Sequence, residues 1–221
     1  MLLLLKISTI SSVHNSNGGS SKLVSRSSSE NQPDHDNAQF QKLVQFTPDY
    51  NIHEYPAPKN GTPLKVEFQV NLRNVLEVNE VSQICTLETT IRMFWLDARV
   101  TLRPELQNSQ MEYVTLNPKA ADNFWIPDIF VDQAKALRIP TYFVRPASIR
   151  VYNNSKIRYA TRVNFDVACK MEFHKYPTDM QTCEIKLESF GYTSKQMHFN
   201  WMAGTYIYIY IYIYIFETYF E

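Results

Sequence analysis

The chain is 221 residues long, and its 22 basic and 22 acidic side chains leave no formal net charge at neutral pH. With 44% hydrophobic and 14% aromatic residues, it has ample material for the core of one domain. A balanced charge without a basic stripe lacks the electrostatic footprint of nucleic-acid-binding proteins, so we exclude nucleic acid as a partner.

The first 36 residues differ in kind from the rest of the chain. The opening MLLLLKISTISSV begins like a secretory leader, but Lys6 interrupts an apolar run that is already short for one. The polar, Ser-rich stretch that follows is typical of disorder. We therefore assign residues 1–36 to a leader or disordered segment and expect the folded domain to span residues 37–203.

The first predicted elements of the domain are one helix and two strands. Behind a cap at Asp36 or Asn37, the helical spacing of apolar residues predicts a short helix. The apolar positions are Phe40, Leu43 and Val44. Residues 64–72 and 84–95 instead alternate apolar and polar side chains, which predicts two half-buried β-strands.

Proline-containing turns at residues 117–118, 126–128 and 145–146 punctuate the middle of the chain. Strict alternation returns from Lys156 to Cys169 and again after Cys183. Several alternating strands separated by turn signals predict an all-β fold, an antiparallel immunoglobulin-like β-sandwich with the short helix at its N-terminus.

The chain has three cysteines, Cys85, Cys169 and Cys183. Their spacing does not match a metal site, and a catalytic pair of cysteine and His174 has no supporting motif, so no metal and no catalytic residue is predicted. Cys169 and Cys183 flank a polar loop at two strand ends, which favours a disulfide bond and an extracellular setting. Closing a loop of about 15 residues stabilises a fold by about 3 kcal/mol. Cys85 lies on an apolar strand face and is expected to be a buried free thiol.

Two sequons, at Asn60 and Asn153, are candidate glycosylation sites and agree with that setting. Asn153 falls at a predicted hairpin turn between Tyr152 and Lys156, where a glycan has room.

The C-terminal run YIYIYIYIYIF, residues 206–216, alternates two strand-forming residues with no polar face. It is too short and too rich in tyrosine for a transmembrane helix, and its high β-propensity favours aggregation. Because a TA dinucleotide repeat read in frame encodes alternating Tyr and Ile, we interpret residues 204–221 as a low-complexity tail translated from such a repeat.

The segment between the paired cysteines has the pattern C-x6-Y-P-x-D-x3-C. It resembles the signature loop of the Cys-loop, or pentameric, ligand-gated ion channels. Further stretches agree with that family in order and spacing: WLDAR at 95–99, FWIPDIF at 124–130 and ESFGYT at 188–193. The resemblance covers roughly residues 40–201 and is closest to the branch gated by glycine, GABA and glutamate.

The resemblance implies that the chain is the extracellular agonist-binding domain of a channel subunit, incomplete at its C-terminus. It implies a ring with four further like subunits at the plasma membrane, membrane helices that lie beyond this chain, and no cofactor. The agonist implied is a small amino acid bound between neighbouring subunits. The alternative is a soluble, secreted binding protein or decoy of the same fold without a pore. No motif for an enzyme is present.

The resemblance also implies ligand-binding residues. Arg73 and Arg92 stand where glutamate-gated chloride channels place arginines that bind carboxylates, and Thr90 matches a neighbouring threonine. A guanidinium fork suits a carboxylate, although exposed arginines are more often solvated or paired with acids across an interface. Ala160 departs from the pattern, because amino-acid receptors often carry a hydroxyl there.

The agonist-binding loop implied by the resemblance contains Ser189, Phe190 and Tyr192. Phe190 would face the ammonium group of the agonist, because aromatic faces attract such groups. The alternative for Phe190 is an ordinary interface aromatic.

Overall fold

A computed structural model describes residues 42–107, 111–140, 142–174 and 180–202, together with the backbone of residues 3–10 and 209–211. The strands are β1 (Leu3–Ile10), β2 (Val44–Phe46), β3 (Leu64–Asn79), β4 (Ile84–Leu96), β5 (Val100–Leu102), β6 (Tyr113–Leu116), β7 (Ile129–Val131), β8 (Ala134–Arg138), β9 (Ala147–Tyr152), β10 (Lys156–Ala168), β11 (Met180–Ser189), β12 (Met197–Trp201) and β13 (Ile209–Ile211). Within these residues the helical elements are a four-residue helix, Pro104–Gln107, and a 3-10 helix, Pro118–Asn123. The predicted all-β fold is confirmed.

The larger sheet has seven strands in the order β12-β3-β4-β10-β9-β6, with β8 also paired to β10. At its centre β4 and β10 run antiparallel from the pair Leu96 and Lys156 to the pair Ile84 and Ala168. Because central strands are covered on both sides by neighbours, β4 is buried or half-buried at nearly every position. This pair of strands carries most of the polar face described below.

The smaller sheet has four strands in the order β13-β1-β11-β7. In it β11 pairs antiparallel with β7, and the backbone of β1 pairs antiparallel with β11. Apart from the backbone of β1 and β13, the segments assigned to residues 1–36 and 204–221 lie outside the described residues. Those two assignments stay predictions.

Most of the predicted N-terminal helix lies outside the described residues and stays a prediction there, whereas Val44 is not helical. Phe40 lies outside the described residues, and Val44 begins strand β2 instead of ending a helix. Val44–Phe46 pairs antiparallel with Val100–Leu102, so the backbone hydrogen bonds of this segment are made to another strand. At Val44 this pairing overrides the helical spacing of the apolar residues, because tertiary context outweighs local propensity.

The core lies between the two sheets, and the predicted alternation is found in it. The apolar face of β3 is fully buried at Val66 and Phe68, and that of β10 at Ile157 and Val167. Trp95, at the end of β4, meets Trp125 edge-to-face with ring centroids 6.0 Å apart.

The predicted disulfide bond joins Cys169 to Cys183, with 5.1 Å between their Cα atoms. Cys169 directly follows β10 and Cys183 lies in β11, so the bond connects the larger sheet to the smaller one. Cys85 is buried and unbonded, and burial raises the pKa of its thiol to about 11. The tip of the loop, residues 175–179, lies outside the described residues.

A buried ion pair closes the turn after β4. The Asp97 carboxylate is fully buried and accepts bonds of 2.9 Å from both Nε and Nη2 of Arg99. Arg99 also donates through Nη1 to the carbonyl oxygens of Glu54 at 2.7 Å and Asn51 at 3.3 Å. The bond to Asp97 raises the pKa of Arg99. The pair therefore holds residues 47–63 against the end of the larger sheet.

The Tyr152–Lys156 hairpin turn is formed as predicted, and Asn153 is exposed in it. Its Nδ2 donates to the Met111 carbonyl oxygen at 2.7 Å, whereas the Asn60 side chain accepts from the backbone nitrogen and hydroxyl of Thr62. Glycosylation of either asparagine stays a prediction.

We expect Asp97→Asn to lower the free energy of unfolding by about 3–5 kcal/mol, because it leaves a partly buried guanidinium without its charge partner. Urea unfolding of the 221-residue chain measures the change. Asp122→Asn is the matched control, since the Asp122–Arg145 pair is exposed and worth at most about 1 kcal/mol. Equal losses in the two variants would contradict this role for Asp97.

The disulfide prediction is checked by peptide mapping of the folded chain without reductant. We expect one crosslinked peptide pair containing Cys169 and Cys183. Cys85 should react with iodoacetamide only after unfolding, because its buried thiol stays protonated at neutral pH. A crosslink to Cys85 would overturn the assignment.

Candidate functional site

The residues predicted to bind an agonist lie on two surfaces of the molecule. Arg73, Thr90 and Arg92 lie on β3 and β4 of the larger sheet, whereas Ser189, Phe190 and Tyr192 lie at and after the end of β11 in the smaller sheet. Within the described residues, no hydrogen bond, ion pair or ring contact joins one set to the other. A single copy of the chain therefore presents the two predicted sets on separate surfaces, which we call the first and second half-sites.

Arg73 reaches the first half-site through an irregularity in its strand. The register between β3 and β4 shifts between Leu72 and Asn74, which leaves Arg73 without a direct partner on β4. Such bulges re-aim side chains. Its Nε donates to the Thr90 hydroxyl oxygen at 3.2 Å, and Thr90 itself is buried.

An open groove of about 470 Å³ lies over this contact. Arg73, Thr90 and the buried Ala160 line it, and Tyr142 and Phe143 form part of its rim. The small side chain of Ala160 leaves space where a larger residue would fill the groove. The departure noted in the sequence thus widens the groove and removes a hydroxyl from it.

Arg162 lines the groove, and its charge is paired within the chain. It lies 3.5 Å from a carboxylate oxygen of Glu88, donates to the Tyr142 hydroxyl at 2.9 Å and lies over the Tyr142 ring. The bond to Tyr142 raises the pKa of Arg162. We therefore assign Arg162 to the shape of the groove and not to ligand binding.

Arg92 lies opposite Ala160 in the register of β4 and β10. Its Nη1 donates to the side-chain oxygen of Gln69 at 3.2 Å. In the described part of the chain neither Arg92 nor Arg73 has a carboxylate partner. Each guanidinium carries five N–H donors, so both retain donors for an incoming carboxylate.

Phe190 dominates the second half-site. It is 89% exposed, and its ring meets Phe130 edge-to-face at a centroid distance of 6.2 Å. Tyr192 instead packs inward, against Trp125 at 6.1 Å and Tyr55 at 5.3 Å. Phe190 is therefore the more exposed of these two rings, whereas Tyr192 packs against the fold, and ligand contact by either ring stays a prediction.

Asp128 holds this loop in place. Its carboxylate accepts from the Ser189 hydroxyl at 2.7 Å and from the Gly191 backbone nitrogen at 2.6 Å. A Cβ at Gly191 would lie 3.0 Å from the same carboxylate, so glycine permits the close approach. The Ser189 hydroxyl thus anchors the loop through Asp128, and its predicted contact with a ligand stays a prediction.

Sequence reasoning missed Asp128, Phe130 and Arg150 as residues of these surfaces. Asp128 and Phe130 belong to the quoted FWIPDIF stretch, so the motif itself was the available signal. Arg150 lies on β9 directly opposite Arg158, a relation that no local pattern reveals.

In the described ranges no helix is long and apolar enough to cross a membrane. The same ranges contain no group of three or more His, Cys, Asp or Glu side chains arranged to hold a metal ion.

We expect Asp128→Ala to accelerate amide hydrogen exchange at Gly191 by about tenfold to a hundredfold, because hydrogen bonds to charged groups contribute about 1.5–3 kcal/mol. Exchange measured by mass spectrometry on peptides covering 189–192 tests this. Asp132→Ala is the control, since the exposed Asp132 carboxylate accepts from the side chain of the neighbouring Gln133 and not from Gly191. Unchanged exchange in Asp128→Ala would remove Asp128 from this role.

Comparison with known proteins agrees with the fold. The family model described as Neurotransmitter-gated ion-channel ligand binding domain matches residues 39–214. The gamma-aminobutyric acid receptor subunit pi of Bos taurus is 28% identical over 144 residues, which are 65% of this chain and 31% of that protein. The glutamate-gated chloride channel of Drosophila melanogaster is 27% identical over 157 residues, 70% of this chain and 34% of that protein.

The chain thus spans about a third of the length of the curated relatives it matches. The family match covers well over half of the chain and includes β3, β4, the disulfide and the loop after β11. The chain belongs to the family of neurotransmitter-gated ion-channel ligand-binding domains.

Proposed function

We propose that this chain is the agonist-binding part of a subunit of a pentameric ligand-gated ion channel, placed outside the plasma membrane, and that its agonist is a small amino acid. The observation that carries the proposal is the groove over Arg73 and Thr90, flanked by Arg92. Two guanidinium groups without carboxylate partners in the described residues form a site that lacks an anion.

The chemistry of the groove favours a carboxylate. The Thr90 oxygen accepts from Arg73, so its proton remains available to donate to a ligand oxygen. Arginine forks bind carboxylates through two parallel hydrogen bonds, which fixes orientation as well as charge. Partial burial of Thr90 and Ala160 strengthens these bonds by excluding water.

The ammonium end of the agonist is assigned to Phe190 of a neighbouring subunit. Its exposed ring offers a negative face, and Phe130 supports it from the side. Because the two half-sites lie on different sheets, a head-to-tail contact between copies would join them. Such contacts close into rings, and a ring with four further subunits has one site at each junction.

Coupling to a pore is proposed at the end of the sandwich that holds the β3–β4 turn. Val81 is 98% exposed and Leu76 is 47% exposed there. Exposed apolar side chains at one end of a domain favour contact with another surface, here the membrane domain of the complete subunit. The disulfide loop would contact the same surface, so agonist binding and gating would be two linked sites.

We expect Arg92→Ala to raise the half-activating agonist concentration by about tenfold to a hundredfold, from the loss of a charge-assisted bond. Arg92→Lys should recover only part of this, because an ammonium group keeps the charge but not the fork. Voltage-clamp recording of the complete subunit in oocytes, with amino acids as agonists, measures the shift. Arg138→Ala is the control, since Arg138 is paired with Asp166 and neither residue lines the groove.

Two results would overturn parts of the proposal. An amino-acid response unchanged by Arg92→Ala would remove Arg92 from the site. A response only to agonists without a carboxylate would overturn the amino-acid assignment while leaving a ligand-gated channel in place.

A further inference from the structure

Two arginines face each other directly across neighbouring strands on the polar face of the larger sheet. Arg158 on β10 is the register partner of Arg150 on β9. Side chains in that relation have Cβ atoms about 4.5–5.5 Å apart, and like charges there destabilise the sheet. The pair therefore needs compensation from an anion.

The described chain does not supply that anion. On this face Glu67 is paired with Lys156 at 2.9 Å, and Glu88 with Arg162 at 3.5 Å. Asp166, the acidic residue of β10, is paired with Arg138. None of the acids in the described residues is paired with Arg150 or Arg158.

The environment of the pair points to a missing acceptor. The Nε of Arg150 is shielded from solvent and has no hydrogen-bond partner in the described structure. Its guanidinium carbon lies 4.4 Å from the centroid of the Tyr113 ring, which fixes the plane of the fork. Arg158 is half-buried, and desolvation, with further contributions from Arg150 and Arg92, lowers its pKa.

We propose that Arg150 and Arg158 form a binding site for a small divalent oxyanion such as sulfate or phosphate. Two guanidinium forks offer parallel N–H donors to tetrahedral oxygens, which is the geometry that arginine binds best. The anion would satisfy Arg150 Nε and neutralise the cross-strand repulsion. Tyr113 and Tyr152, whose rings lie 5.3 Å apart, close one side of the site.

This site is separate from the carboxylate site proposed above. It uses neither Arg73 nor Thr90, and it needs no second copy of the chain. Arg92, which the proposed agonist site uses, also affects the charge of Arg158, but the test of the oxyanion site needs no agonist.

The test is titration of sodium sulfate into the 221-residue chain by isothermal calorimetry, with chloride holding the ionic strength constant. We expect one sulfate per chain, and at least about tenfold weaker binding in Arg158→Gln and in Arg150→Gln, since each removes a fork. Arg145→Gln is the matched control, because that arginine is paired with Asp122. The Arg145→Gln variant should bind sulfate with the same affinity as the unmodified chain.

Thermal unfolding gives a second signature that a purely structural arginine would not produce. In chloride, Arg158→Gln should melt at the same or a higher temperature than the unmodified chain, because repulsion is relieved. In sulfate, Arg158→Gln should melt at a lower temperature than the unmodified chain. Sulfate stabilises proteins in general by exclusion from their surface, so the readout is this reversal and not the shift itself.

Three results would overturn the proposal. Equal sulfate affinity in all four proteins, or a lower melting temperature of Arg158→Gln in chloride and sulfate alike, overturns the proposal. Stabilisation that appears only when the chain self-associates, measured by sedimentation, would assign the arginines to an acidic side chain of a second copy and also overturn it. Within the described residues no ring contact of Arg158 is found, so Arg158→Gln decides the question if Arg150→Gln does not fold.

Discussion

The fully buried carboxylate of Asp97 is the constraint on which the end of β4 and the segment leading to Asp128 depend. A buried charge is tolerated only when it is paired, and Arg99 pairs it through two bonds while also holding backbone oxygens of the preceding loop. The Arg99 guanidinium lies over Tyr50, whose hydroxyl accepts from the Trp125 nitrogen at 2.8 Å. Through these contacts one ion pair positions the end of β4 and the segment that leads to Asp128.

The two half-sites are supported in different ways. Thr90 and Arg92 project from the most enclosed strand of the molecule, where neighbouring strands on both sides restrict them. Phe190 lies on a loop whose shape depends on the Asp128 carboxylate and on the absence of a side chain at Gly191. Under the proposed function, the rigid strand surface with its arginines and the anchored aromatic loop of a neighbouring subunit would suit a ligand that has a charge at each end.

Both proposed anion sites use arginines on the polar face of the larger sheet. Arg73, Arg92, Arg150 and Arg158 share this face without carboxylate partners in the described residues, although the whole chain is neutral. The field of such a surface attracts anions before any specific contact forms. The zero net charge of the whole chain therefore coexists with a locally positive face on the larger sheet, and both proposed anion sites lie on that face.

The sequence by itself determined which strand faces are buried and which cysteines pair. Alternation with period two places Phe68 and Ile157 inside, and Cys169 and Cys183 follow from strand ends that are near in sequence. Only the tertiary structure decided relations between distant segments. Val44 joins a strand because Val100–Leu102 offers hydrogen bonds, and Arg150 opposes Arg158 because of strand register. A local sequence pattern reveals the periodicity of a strand but not the strand with which it pairs, because pairing depends on the packing of the whole sheet.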